Sequence, residues 1–161
     1  MRRLIVVAAL TGLSLAVTAP AGQAISPNHN SVTGTAQHLG ADFPFPSIEV
    51  RIRAHSDATG TDPRGYLVVD NIAPLASYRG RVTCLHVAGS QATIGIEIVR
   101  STDPTLEGQG ELWNVFDGGP TGQPDRIAGY PITPVPPTVC PPLSFTVPVI
   151  SGDYVVHEAT P

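Results

Sequence analysis

The sequence predicts an all-β, single-domain protein: an antiparallel β-sandwich or small β-barrel of about six to eight strands with one disulfide. Gly (16) and Pro (17) together make up about a fifth of the 161 residues, which is too many helix breakers for a helical bundle. No window carries apolar residues at helical spacing over three turns. Short segments with period-two alternation are instead separated by turn-forming residues about every 8 to 12 positions, which is typical of sandwiches and barrels.

The first 24 residues have the pattern of a secretory signal peptide. Arg2 and Arg3 precede an apolar stretch over 4–17, and small residues place the cleavage site after Ala21 or Ala24. The apolar stretch is too short to cross a bilayer as a helix. We therefore expect a secreted, extracellular protein that is not inserted in the membrane after cleavage.

Residues 25–46 carry Pro, Asn, Ser, Thr and Gly without a period, and they are predicted to form a flexible N-terminal arm. The β-domain is predicted over residues 47–160. Its first strand, from Ser47 to His55, has an aliphatic residue at every second position. The following strands are predicted at 65–70, 78–87, 92–100, 109–117, 125–132 and 153–158.

The segment 131–148 contains seven prolines. Such a segment cannot form a central strand or a helix, and we expect it to cross the surface in an extended conformation. Cys84 lies in the third predicted strand and Cys140 in this segment. Two cysteines in an exported domain are expected to form a disulfide, which would attach the segment to that strand.

Composition excludes several classes of function. All nine basic residues are Arg, and removal of Arg2 and Arg3 would leave seven Arg against 13 Asp and Glu, a net charge of −6. An acidic surface of this kind repels phosphate, so nucleic-acid binding is not expected. The absence of Lys also removes Schiff-base and P-loop chemistry. The partner expected instead is an extracellular ligand or a component of the cell envelope.

A polar face on the first predicted strand is a candidate ligand site. Carboxylates beside Arg can form a ligand pocket or an acid/base site, although such residues are more often cross-strand pairs on a solvated face. The candidate residues are Glu49, Arg51, Arg53, His55 and, across the sheet, Glu97. Trp113 is a further candidate as a stacking platform, with core packing as the alternative.

No other constellation of residues indicates catalysis. The sequence has no Gly-x-Ser-x-Gly elbow and no paired-His metal motif. The loop from Asp57 to Asp62 is a weak candidate for Ca²⁺, because it combines carboxylates, hydroxyls and a Gly. The alternative is that these aspartates cap their own turn. We expect no catalytic residues and no other metal site.

Several short motifs resemble a group of small secreted β-domain proteins from actinobacteria. They are Gly80-Arg81-Val82-Thr83-Cys84-Leu85, Val115-Phe116-Asp117-Gly118-Gly119, Pro124-Asp125-Arg126, Pro137-Thr138-Val139-Cys140 and Gly152-Asp153-Tyr154-Val155-Val156-His157. The resemblance covers roughly residues 47–160. It implies an all-β domain in which one disulfide joins the strand that contains Cys84 to the Pro-rich segment that contains Cys140. The resemblance does not assign a catalytic role to any residue.

These observations favour a secreted, non-enzymatic β-domain with a binding or structural accessory role. A small lipocalin-like barrel that carries an apolar ligand is an alternative, and an enclosed cavity would favour it. A small extracellular acid/base enzyme is the other alternative. It would require the polar face to line a concave pocket.

Overall fold

The computed structural model describes residues 28–39, 47–71, 75–144 and 146–160. They form a closed antiparallel barrel in which each strand pairs with the next along the chain and the last pairs with the first. The barrel alternative of the predicted fold class is therefore the correct one. The strands are β1 (His29–Leu39), β2 (Ser47–Asp57), β3 (Arg64–Asp70), β4 (Tyr78–Ala88), β5 (Gln91–Ser101), β6 (Gly110–Phe116), β7 (Arg126–Gly129) and β8 (Val147–His157).

The predicted flexible arm over 25–46 is wrong for its central part. Residues 29–39 form β1, which pairs along its length with β2 and also with β8. The buried positions of β1 include Asn30 and His38 as well as Val32 and Ala36. Polar inward residues weaken the alternation of hydrophobic side chains, and the sequence therefore conceals this strand. The predicted signal peptide and residues 40–46 lie outside the described residues.

The end of the chain also differs from the prediction. The last strand was predicted from Asp153, but β8 begins at Val147 and includes Pro148. Proline is tolerated there because the ladder between β1 and β8 ends at Val149, so that Pro148 has no register partner on β1 among the described residues. Among the described residues, only two register pairs join β7 to β8. They are Arg126 with Pro148 and Ile127 with Val147.

Two carboxylate side chains complete the junction between β7 and β8, which is called the seam below. They are needed because β7 is too short to pair with all of β8. Asp117 and Asp125 flank the β6–β7 turn, and both are buried. Asp125 accepts hydrogen bonds from the N–H of Tyr154 in β8 and from that of Gly118. Asp117 accepts from the N–H of Val156 at 3.0 Å. The carboxylates thus take the place of strand partners for β8, and buried N–H groups need such acceptors.

The middle of the barrel is filled. Inward aliphatic residues of β2 to β6 pack there around Tyr154, which is fully buried and whose hydroxyl donates to the carbonyl of Val50 at 3.0 Å. An eight-stranded barrel has an interior just wide enough for side chains to fill. With its middle filled, the barrel can have open space inside only near its ends.

The Pro-rich segment crosses the outside of the barrel, and residues 133–144 are here called the strap. Cys140 of the strap is bonded to Cys84 of β4, as predicted. Gly95 of β5 lies beneath this bond, since a Cβ there would be 2.5 Å from the Cys84 Sγ and 2.9 Å from Pro137 Cγ. The strap can lie flat on β4 and β5 because this position has no side chain.

Removing the disulfide is expected to destabilise the barrel. The bond closes a loop between residues 56 positions apart, so the variant Cys84→Ala/Cys140→Ala should lose about 2–4 kcal/mol of unfolding free energy. Urea denaturation of the two proteins measures the loss. Val139→Ala is the control, because Val139 is next to Cys140 and is 75% exposed. A double variant as stable as its parent would contradict the assigned role of the bond.

The seam is expected to be sensitive to loss of one carboxylate. Asp125→Ala leaves the N–H groups of Gly118 and Tyr154 without their acceptor, and the unfolding free energy should fall by at least about 2 kcal/mol. Asp70→Asn, which breaks an exposed ion pair with Arg51, should change it by no more than about 1 kcal/mol. Chemical denaturation compares the two variants. Equal effects would show that the carboxylate does not hold the seam.

Candidate functional site

One end of the barrel contains a cavity of about 320 Å³. It lies where β3 and β7 end and β4 and β6 begin. Most of its wall is aliphatic, and a few polar and aromatic groups project from the strand ends. The aliphatic residues include Ile48, Val69, Leu75, Leu106, Ile132 and Val147, and the others include His38, Asn71, Tyr78, Glu111 and Trp113.

Glu111 is a carboxyl group inside this largely apolar wall. It lies near the start of β6 and shares the inward face with Trp113 and Val115, because alternate residues of a strand face the same side. Its Oε2 accepts hydrogen bonds from the hydroxyl of Tyr78 on β4 and from the indole Nε1–H of Trp113, the latter at 2.8 Å. Both donors are thus committed to the same oxygen.

Burial raises the pKa of Glu111 to about 7, while the hydrogen bonds from Tyr78 and Trp113 act in the opposite direction. Burial, followed by the charge of Glu111, raises the pKa of Tyr78 well above its usual value. Tyr78 therefore remains a hydrogen-bond donor at neutral pH. Glu111 is the group in this cluster that gains or loses its proton near neutrality.

Gly129 provides room for the cluster. It lies opposite Trp113 in the β6–β7 ladder. A Cβ at this position would be 2.9 Å from Glu111 Oε1 and 2.9 Å from Trp113 Cζ2. The indole and the carboxyl can occupy their positions because β7 presents only backbone here.

His38 adds a second buried polar group to the wall. It lies near the end of β1 and is 4% exposed. Its ring meets Trp113 edge to face, with the centroids 6.2 Å apart. Nδ1 lies 2.9 Å from the carbonyl oxygen of Leu39, and Nε2 has no hydrogen-bond partner among the described residues. Burial lowers the pKa of His38, and the contact with Leu39 opposes this.

Asn71 lies just after β3 and is the third polar group. Its Nδ2 donates to the carbonyl of Ala76. Its Oδ1 is buried and has no partner within the part of the chain that the structure describes. Buried polar atoms without partners are uncommon in folded proteins, and two of them line this one cavity.

The predicted ligand face does not form a pocket. The four candidate residues of β2 lie on the outer surface, because they alternate with the inward residues Val50 and Ile52. They are Glu49, Arg51, Arg53 and His55. Arg51 is paired with Asp70 on β3 and lies 3.5 Å from Glu49. These contacts correspond to the solvated cross-strand pairs that were the alternative interpretation.

The other two candidates lie elsewhere. Glu97 of β5 pairs with Arg81 of β4 on the outside of the barrel. Trp113 faces the interior and is 3% exposed, so it cannot act as an exposed stacking platform. The six predicted residues therefore do not share one surface, and only Trp113 belongs to the cavity.

The aspartates of the candidate Ca²⁺ loop are engaged within the loop. Asp57 Oδ1 accepts from the backbone N–H groups of Thr59 at 3.0 Å and Thr61 at 2.8 Å. The hydroxyls of both residues also donate to this carboxylate and lower the pKa of Asp57. Asp62 is paired with Arg64. Turn capping thus accounts for these side chains, and Ca²⁺ binding stays a prediction.

Sequence reasoning missed Glu111, His38, Asn71 and Tyr78. The spacing of Glu111 and Trp113 is a signal that could have been used, because residues two apart in a strand share a face. His38 had no such signal, since β1 itself was not predicted. Tyr78 was assigned to a strand, but its contact with Glu111, 33 residues away, depends on the barrel register.

The described residues contain no helix long and apolar enough to cross a membrane. Within the same residues, no three His, Cys, Asp or Glu side chains are placed to hold a metal ion together.

Comparisons with known proteins identify no relative: no family model, no curated protein and no solved structure matches the chain. The resemblance to secreted actinobacterial β-domain proteins therefore stays a prediction. The function has to be inferred from the geometry of the cavity.

The pKa of Glu111 predicts how stability depends on pH. In the unfolded chain this group titrates near its ordinary value of 4.5, and in the barrel near 7. The folded protein binds more protons between these values, so the stabilisation is complete below pH 4.5 and is lost as the pH rises through 7. The full loss is about 3 kcal/mol.

Glu111→Gln keeps the shape of the side chain and cannot titrate, so this pH dependence should be much weaker in the variant. Urea denaturation of both proteins from about pH 5 to about pH 8 makes the comparison. Parallel stability curves for the two proteins would show that Glu111 does not titrate in this range.

Proposed function

We propose that this protein binds a small, largely apolar molecule in the cavity at the end of the barrel, and that it does so outside the cell. The cavity is the observation that carries the proposal: about 320 Å³ is left open in a barrel whose middle is fully packed. Ligand sites commonly have volumes from about 300 Å³ upward, with mostly apolar walls and a few placed polar groups. This wall has that composition.

The cost of the polar groups supports the proposal. A carboxyl inside an apolar wall and two unpartnered polar atoms reduce the stability of the folded state. A domain with a purely structural role has no need of them at an unfilled end. They are explained if a ligand covers them and provides the missing hydrogen bonds.

The extracellular location is supported by the N-terminal pattern and by the disulfide. Disulfides persist in oxidising compartments and are rare in the cytosol. Of the three hypotheses drawn from the sequence, the lipocalin-like carrier thus has the most support, and a binding role is retained in it. The outer polar face that the enzyme hypothesis used is solvated, and its Arg51 is paired with Asp70.

Acid/base catalysis at Glu111 is a second candidate. The observation that favours it is the pKa of about 7 in a cavity that could hold a substrate, since general acids and bases work best with a pKa near the operating pH. In this second candidate function, the cavity holds a substrate, and Glu111 removes a proton from it or adds one to it. Binding in the cavity is common to both candidates.

Binding can be measured through Trp113, because the chain has only one Trp and it lines the cavity. The uncharged dye N-phenyl-1-naphthylamine should bind, gain fluorescence and quench Trp113 by energy transfer. Ala76→Phe and Ile132→Phe each place a larger side chain at the cavity wall, and each should weaken binding about tenfold or more.

Val155→Phe is the matched control, since Val155 is 47% exposed on β8 and its enlargement leaves the cavity unchanged. It should bind the dye as the parent does. The proposal fails if the parent does not bind the dye, or if the cavity variants and the control bind it equally well.

A further inference from the structure

We propose that the cavity selects ligands that donate hydrogen bonds, such as compact apolar alcohols, over molecules of the same shape that only accept them. This inference rests on the proposed function and specifies its ligand. It follows from the hydrogen bonds of the polar side chains in the wall: two buried acceptor atoms, on His38 and Asn71, have no partner among the described residues, while the donors of Tyr78 and Trp113 are both bonded to Glu111.

The tautomer of His38 is determined by its neighbour. Nδ1 lies 2.9 Å from the carbonyl oxygen of Leu39, and a carbonyl can only accept, so Nδ1 carries the proton. A neutral imidazole has one protonated nitrogen, which makes Nε2 the unprotonated one. Burial lowers the pKa of this ring and keeps it neutral. The unpartnered Nε2 therefore presents a lone pair and requires a donor.

The orientation of Asn71 is determined in the same way. The carbonyl of Ala76 accepts from the side-chain nitrogen, which places the Nδ2 amide group on that side. The oxygen Oδ1 is then the atom left buried without a partner. A carbonyl oxygen can only accept hydrogen bonds, so a ligand must donate to satisfy it.

Glu111 uses both of the cavity's other donors. The Tyr78 hydroxyl and the Trp113 indole N–H both donate to Oε2 of this carboxyl. Above its pKa of about 7, Glu111 is itself purely an acceptor. Among the described side chains that line the cavity, each donor atom then already makes one hydrogen bond, and only the second N–H of the Asn71 amide is left over. A ketone or an ether would leave the acceptors of the wall unpaired, whereas a hydroxyl would satisfy one of them.

The test uses three bicyclic compounds of nearly the same size, none of which has an aromatic ring. Decahydro-2-naphthol donates a hydrogen bond; its methyl ether and 2-decalone only accept. Each displaces N-phenyl-1-naphthylamine from the parent protein at about pH 8, where Glu111 is ionised. The alcohol should bind at least about tenfold more tightly than either of the other two.

Two variants locate the effect. His38→Phe removes the free Nε2, so the preference for the alcohol over the ether should fall, whereas His55→Phe on the outer face should leave it unchanged. Glu111→Gln introduces an amide N–H at the wall, and it should improve binding of the ketone relative to the alcohol.

Equal affinities for the alcohol, the ether and the ketone in the parent protein would overturn the inference and leave the proposed function intact. Tighter binding of the ketone or the ether would also overturn it. If none of the three compounds displaces the dye and the dye itself does not bind, the proposed function fails and the inference fails with it.

Discussion

Closure of the sheet is the constraint on which the rest of the molecule depends. Eight strands enclose an interior that side chains can just fill, so each inward residue either packs or leaves space. Closure requires β8 to satisfy its backbone on both sides, and β7 is too short to do this alone. Asp117 and Asp125 provide the missing acceptors for Val156 and Tyr154. Because Tyr154 then fills the middle of the barrel, the cavity beside Glu111 lies at one end of it.

The fold could be predicted where local pattern and tertiary environment agree. β2 alternates aliphatic and polar residues, and one face of such a strand has to be buried, so its position follows from the sequence. β1 could not be found because its inward residues include Asn30 and His38, whose burial depends on partners that only the closed barrel provides. The start of β8 was missed because Pro148 is normally excluded from central strands, and only the barrel register shows that the ladder with β1 ends one residue later, at Val149.

The site was harder to predict than the fold for a related reason. A charged residue is expected on the surface, and this is correct for Glu49 and Glu97 and wrong for Glu111. Nothing in the residue type separates these cases. What separates them is the register that brings Tyr78 and Trp113 to the same carboxyl, together with a glycine opposite. Such contacts join residues far apart in the sequence, and a local pattern cannot show them.

The outer strap and the inner cavity share the same strands, and this links stability to the site. Thr133 of the strap forms two backbone hydrogen bonds with Gly110, at 2.8 and 2.7 Å, and Gly110 immediately precedes Glu111. The disulfide holds the strap on β4, the strand that begins with Tyr78. A buried carboxyl weakens the fold that contains it. The strap and its disulfide stabilise the strands that carry Glu111 and Tyr78. The barrel can therefore retain a buried carboxyl at the end that its hydrophobic core does not fill.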